Sequence, residues 1–110
     1  MSEYRLLING QLVDGDLSMD GVNPATEEVV ARCPRASEAQ LEAAIAAAKA
    51  AFPAWSATPI AERSKVLLAM ADRIEANADA IARILTQEQG KPIADATGEV
   101  YGAAIYFRYF

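Results

Sequence analysis

Few residues of this 110-residue chain could carry chemistry, and they are scattered. It has no histidine, which removes Ser-His-Asp and Cys-His catalysis and every histidine-ligated zinc site. Cys33 is the single thiol. A nucleophilic cysteine needs its pKa lowered by a helix N-terminus, a cation or a histidine. Cys33 instead precedes Pro34 at a strand end. Arg32 and Arg35 lie close by, but adjacent strand residues point to opposite faces. Cys33 reads as inert and half-buried. Gly90-Lys91 before a helix start looks like part of a phosphate loop. That pattern also needs a glycine five positions upstream and a Ser or Thr next, where Leu85 and Pro92 stand. A helix-to-helix corner is the reading that remains. Glu62 and Arg63 read as early charges on a helix. Glu88, two residues before a tight turn, either meets backbone donors or a cation there, or lies on a solvated face. With Glu99, these charges form no catalytic constellation.

Those residues must be positioned by a small, helix-rich scaffold. The chain is 53% hydrophobic and 23% charged, with net charge −5, but 24 of its residues are alanine. Alanine buries little area and favours helix. One cysteine excludes an intrachain disulfide framework and fits a reducing compartment, so a cytoplasmic location is expected. The acidic balance without a basic run argues against nucleic acid as a partner. No apolar stretch approaches the roughly 18 residues of a membrane span, so no membrane partner is expected.

Residues 1–34 read as strands and turns, and residues 35–110 as helices. Tyr4 to Ile8 and Gln11 to Asp14 flank Asn9-Gly10, the dipeptide favoured in a type I′ hairpin turn. Asp14-Gly15-Asp16 is a second turn. Leu17 to Val22 is extended, and Glu28 to Cys33 forms another strand that Pro34 should end. Ser37 with Gln40 predicts a capping box. Leu41, Ile45, Ala48, Phe52 and Trp55 form an apolar stripe that Pro53 should halt. Thr58-Pro59 opens a second helix with Val66, Leu67, Met70 and Ile74 as its apolar stripe. Asn77 or Asp79 caps a third, carrying Ile81, Ile84 and Leu85, with Gly90 just past its end. After Pro92, a fourth carries Ile93, Ala96, Val100, Ala103 or Ala104, and Phe107.

Five of the eight aromatics fall in the last ten residues, with no terminator after them. Fully burying one large apolar side chain is worth roughly 1.5–3 kcal/mol. Four left half-bare forfeit an amount comparable to a domain's net stability of about 5–15 kcal/mol. The expectation is that the chain stops inside a helix and that something outside it covers Tyr106, Phe107 and Phe110.

The order of these pieces resembles the N-terminal segment of the NAD(P)-dependent aldehyde dehydrogenase superfamily. The matching residues are Ile8-Asn9-Gly10, Asn23-Pro24-Ala25-Thr26-Glu27, Ala44 to Phe52 with Trp55, and Glu62-Arg63. Leu67 with Ala71, and Glu88-Gln89-Gly90-Lys91-Pro92 followed by Glu99, complete the run. The resemblance implies an α/β parent with a Rossmann-like cofactor domain, of which residues 1–110 would be an incomplete N-terminal part. It implies NAD or NADP as the parent's cofactor, with none expected on this chain alone. The implied reaction oxidises an aldehyde to a carboxylic acid through a cysteine thiohemiacetal, on residues beyond position 110. Cys33 does not match that cysteine. By the same resemblance, the backbone carbonyls of Gly21 and Val22 and the side chain of Glu88 would help hold a structural sodium or potassium ion. The stretch Glu88 to Val100 looks most like the succinate-semialdehyde branch. The expected partner is the remainder of the enzyme, or another copy, in a homodimeric or homotetrameric parent. The alternative is a stand-alone, non-enzymatic helical module derived from the family.

Overall fold

The computed structural model describes residues 4–110. Four short strands precede four helices: β1 (Leu6–Ile8), β2 (Gln11–Val13), β3 (Leu17–Val22), β4 (Val29–Arg35), α1 (Glu38–Ala57), α2 (Ile60–Ala76), α3 (Ala78–Gln89) and α4 (Ile93–Tyr109). The strands form two antiparallel pairs, β1 with β2 and β3 with β4. The elements fall in two compact units, with all four strands and α1 in the first and α2–α4 in the second. One holds the chain up to Val22 together with Glu28–Ala57, and the other holds Asn23–Glu27 with Thr58–Phe110.

In the first unit, Asn9 and Gly10 both take positive φ, 51° and 73°, as a type I′ turn requires. Ile8 pairs with Gln11, so the turn has the two residues expected of it. β4 differs from expectation because it runs through Pro34, which pairs with Ser18. Proline lacks only the donor that an edge strand can spare, and in a two-stranded sheet every strand is an edge. Pro53 likewise does not halt α1, which continues four residues further to Ala57. The missing N–H leaves the Lys49 carbonyl without its helical donor, but Lys49 is exposed and water can serve that acceptor.

The capping box at the start of α1 is present and does more than cap. Gln40 N–H donates to Ser37 Oγ at 3.3 Å, and Ser37 N–H donates to Gln40 Oε1 at 3.2 Å. The same Oε1 accepts from Asp16 N–H at 3.0 Å, and Gln40 Nε2 donates to the Asp14 carbonyl at 2.8 Å. Ser37 Oγ–H donates to the Asp16 carboxylate. One glutamine thus ties the Asp14–Asp16 turn to a helix start. Ser37→Ala is expected to cost about 0.5–2 kcal/mol, and Ser37→Gly only the few tenths typical of a glycine cap. Urea unfolding midpoints of the two variants check this ordering.

In the second unit, α4 packs against both α2 and α3. The core there is made of small side chains: Ala71, Ala78, Ala82, Ala96, Val100 and Ala104 are 0–5% exposed. Ile74 and Leu85 pack against the cluster of Ala78, Ala82, Ala96 and Val100. Gly90 sits at φ 74° and its N–H donates to the Thr86 carbonyl at 2.8 Å, closing α3 in the left-handed manner expected. Asn77 occupies the N-cap position of α3 without a side-chain cap bond. Its Nδ2 donates backwards to the Arg73 carbonyl at 2.8 Å, so it finishes α2 instead. Thr58-Pro59 is also displaced by one position, with Pro59 at the N-cap of α2.

Candidate functional site

The residues singled out for chemistry do not converge. Cys33 is half-buried on β4 opposite Met19. Arg32 is committed across the sheet, its Nε donating to Asp20 Oδ1 at 3.1 Å. Among the described residues, no three His, Cys, Asp or Glu side chains gather as metal ligands would. Glu62 pairs with Lys65 at 2.7 Å, one turn along α2. Lys91 pairs with Glu99 across the start of α4, which anchors the Gly90-Lys91-Pro92 corner to the helix that follows.

The three residues named for a monovalent cation are placed as follows. Gly21 is half-buried opposite Ala31, and Val22 pairs with Val29 after a register shift. Such a shift leaves a residue out of the ladder and bends the strand. Glu88 is exposed in the last turn of α3, in the other compact unit. Within that second unit, the Asn23–Glu27 turn meets the Gly90 corner. A Cβ built on Gly90 would lie 2.9 Å from Pro24 Cγ. Asn23 Oδ1 accepts from Ala25 N–H at 2.9 Å, and Glu27 N–H donates to the Asn23 carbonyl at 2.8 Å. The Asn-Pro and Gly-Lys-Pro motifs, far apart in sequence, therefore abut.

Two features escaped the sequence reading. Arg108, on α4, binds Asp72 through Nη2 at 2.8 Å and Glu75 through Nη2 at 2.6 Å and Nε at 3.3 Å, both carboxylates on α2. These bonds, to Glu75 first and Asp72 second, raise the guanidinium pKa above its ordinary value. Arginine is charged at every working pH, so the cluster is a clamp between helices and not a proton carrier. Separations of 33 and 36 residues leave no local signal for it. The second feature is polar and enclosed. Arg63 Nε and Thr86 Oγ1 are shielded from solvent and make no hydrogen bond among the described residues. Separately, an apolar cleft of about 190 Å³ is lined by Leu67, Tyr106, Phe107 and Phe110.

The chain is 48% identical over 99 residues to the mitochondrial methylmalonate-semialdehyde/malonate-semialdehyde dehydrogenase [acylating] of Rattus norvegicus, covering 88% of this chain and 18% of that protein. It superposes on the crystal structure of PnpE in complex with nicotinamide adenine dinucleotide with a TM-score of 0.90 and 40% identity, over 97% of this chain and 23% of that one. It superposes equally on an NAD-dependent aldehyde dehydrogenase from Sinorhizobium meliloti, with a TM-score of 0.91 and 39% identity, over 96% and 22% of the two chains. The chain thus spans about a fifth of the length of these relatives. No helix among the described residues is long and apolar enough to cross a membrane. Residues 13–110 match the model of the aldehyde dehydrogenase family, and the chain belongs to that family.

Proposed function

We propose that these residues are the N-terminal scaffold of an NAD(P)-dependent enzyme that oxidises an aldehyde to a carboxylic acid, and that they are inactive by themselves. The observation that carries this reading is the family match over residues 13–110, in a chain about a fifth as long as its relatives. The exposed apolar faces support it, since Phe52, Ile60, Ile105, Tyr106 and Phe110 all lie open. Tyr106 and Phe110 share one apolar cleft with Leu67 and Phe107, and an exposed apolar patch of this kind marks a contact face. The enclosed Arg63 Nε supports it too, because a buried donor left unpaired costs about 1–3 kcal/mol. The remainder of the enzyme, in a homodimer or homotetramer, is the partner we assign to Tyr106, Phe107 and Phe110. The cytoplasm is the location we assign, on the single cysteine. The semialdehyde named for the rat relative supports an aldehyde that also bears a carboxylate.

The test is an assay of the complete reading frame and of the 110-residue chain, with NAD and NADP, against simple aldehydes and semialdehydes. Turnover is expected from the first and none from the second. Turnover by the short chain overturns the scaffold reading, and no turnover by the long one overturns the reaction.

Gly21, Val22 and Glu88 are the residues we assign to a structural sodium or potassium ion. Carbonyl and carboxylate oxygens suit such a hard cation. The assignment rests on the resemblance of Asn23-Pro24 and Gly90-Lys91-Pro92 to the family's motifs. Glu88→Ala in the complete enzyme is expected to lower the melting temperature in potassium and to abolish the difference between potassium and a bulky organic cation. An unchanged difference would remove Glu88 from the site.

A further inference from the structure

The chain has three asparagines, and the residue after each differs: Gly10, Pro24 and Ala78. That difference decides which can react with its own backbone. Asn9 is exposed at the tip of the β1–β2 hairpin, and nothing lies within 4 Å of where a Gly10 Cβ would stand. The hairpin holding it is slight. Each strand has three residues, and Leu7 and Leu12, paired across it, are 70% and 64% exposed. A pair this short opens readily, since few buried contacts resist local unfolding.

We infer that Asn9 is a site of spontaneous modification, where the Gly10 amide closes on the asparagine side chain and the product is an isoaspartyl linkage. When the turn opens and the Gly10 N–H loses its proton to hydroxide, that nitrogen bonds to Asn9 Cγ. The Cγ–Nδ2 bond breaks and the nitrogen leaves as ammonia, leaving a five-membered imide. Water then adds to one of the two imide carbonyls. Opening at the backbone carbonyl routes the chain through Cβ and Cγ, and opening at Cγ yields ordinary aspartate. No oxidant or cofactor is consumed. The isoaspartyl product adds one carbon to the backbone of a two-residue turn, so the Ile8–Gln11 pair cannot keep its register.

The other candidate sites are blocked for reasons visible in the fold. Pro24 has no N–H to lose. Ala78 carries a Cβ, is buried, and opens α3, while Asn77 Nδ2 is held by the Arg73 carbonyl. Asp14-Gly15 and Asp20-Gly21 could form the same ring, but a carboxylate is a poor electrophile, the Asp14 carbonyl is held by Gln40, and Asp20 Oδ1 is held by Arg32 within the β3–β4 pair.

The experiment incubates the folded chain at neutral and at mildly alkaline pH. Tandem mass spectrometry then locates the exchange of an amide nitrogen for oxygen, and protein isoaspartate methyltransferase counts isoaspartyl groups. Conversion is expected at position 9, in proportion to hydroxide, with none at Asn23 or Asn77. Methyl labelling at this position is lost in Asn9→Gln, and the converted fraction loses amide protection at Ile8 and Gln11, the hydrogen-bonded pair that flanks the turn. An Asn9 amide that persists while a synthetic peptide of residues 4–15 converts overturns the inference. So does conversion at Asn77 as fast as at Asn9.

Discussion

Gly15→Ala is expected to dismantle the β3–β4 sheet while leaving the α2–α4 helices folded. A Cβ at this position would stand 2.8 Å from both the nitrogen and the oxygen of Arg35 and 2.9 Å from the Leu17 carbonyl oxygen. All three are backbone atoms of the first pair in the sheet, Leu17 with Arg35. No rotamer change relieves such a contact, so the strand end must move. Overpacking of this kind costs typically about 1–3 kcal/mol. The loss falls on two strands whose large side chains Leu17, Met19, Val22, Val29 and Val30 are exposed, leaving little packing to absorb it. Hydrogen exchange followed by mass spectrometry reads the result as faster exchange over β3 and β4. Gly98→Ala is the matched control. Gly98 lies inside α4 with nothing within 4 Å of its Cβ position, so alanine there is expected to stabilise the isolated chain by about 0.5–1 kcal/mol. Unchanged exchange in β3–β4 of the Gly15 variant would refute the steric argument.

Gly15 also illustrates what a sequence discloses. Asp14-Gly15-Asp16 announced a turn through local chemistry, but the approach of Arg35 arises only once the strands pair. The same division runs through the chain. Asn9-Gly10, the Ser37–Gln40 box and Gly90 are local signals, and each sits in the conformation expected of it. Pro34 and Pro53 misled because a proline's cost depends on whether its lost donor had a partner to serve, which is a tertiary fact. The apolar stripes are a signal of another kind. Periodicity gave stripes that include Val66, Met70, Ile81 and Ile84, which are exposed, while Ala71, Ala78 and Ala82 are buried. A stripe gives the apolar face of a helix but not which neighbour covers it. In a chain about a fifth the length of its relatives, α3 meets α4 through its alanines, and the larger side chains face elsewhere. The candidate site followed the same rule. The Asn-Pro and Gly-Lys-Pro motifs were legible singly, while their abutment through Pro24 and Gly90, and the Arg108 clamp, depend on long-range packing.

That alanine contact leads to the second large effect. Ala82→Leu is expected to separate α3 from α4. Ala82 and Ala96 are both fully buried, and with Ala78 and Val100 they let the two helices approach closely. Small side chains at a seam set the distance between helix axes, which ranges over about 8–10 Å with side-chain size. Leucine adds three carbons to a side chain that is fully buried. The helices must move apart or the side chain must leave its rotamer wells, at a cost of about 1–3 kcal/mol and occasionally more. Separation also strips Ile74 and Leu85 of the cluster they pack against, so the loss extends beyond the substituted residue. The clamp of Arg108 on Asp72 and Glu75 joins α2 to α4 and does not reach α3, so it cannot hold the seam closed. Ala80→Leu makes the comparison on the same helix. Ala80 is exposed, and surface changes away from such seams usually stay within about 0.5 kcal/mol. Denaturant midpoints of the two variants should therefore diverge, with Ala82→Leu well below the parent and Ala80→Leu close to it. Equal midpoints would mean that α3 and α4 are not held by their alanines, and that the larger side chains carry the contact after all.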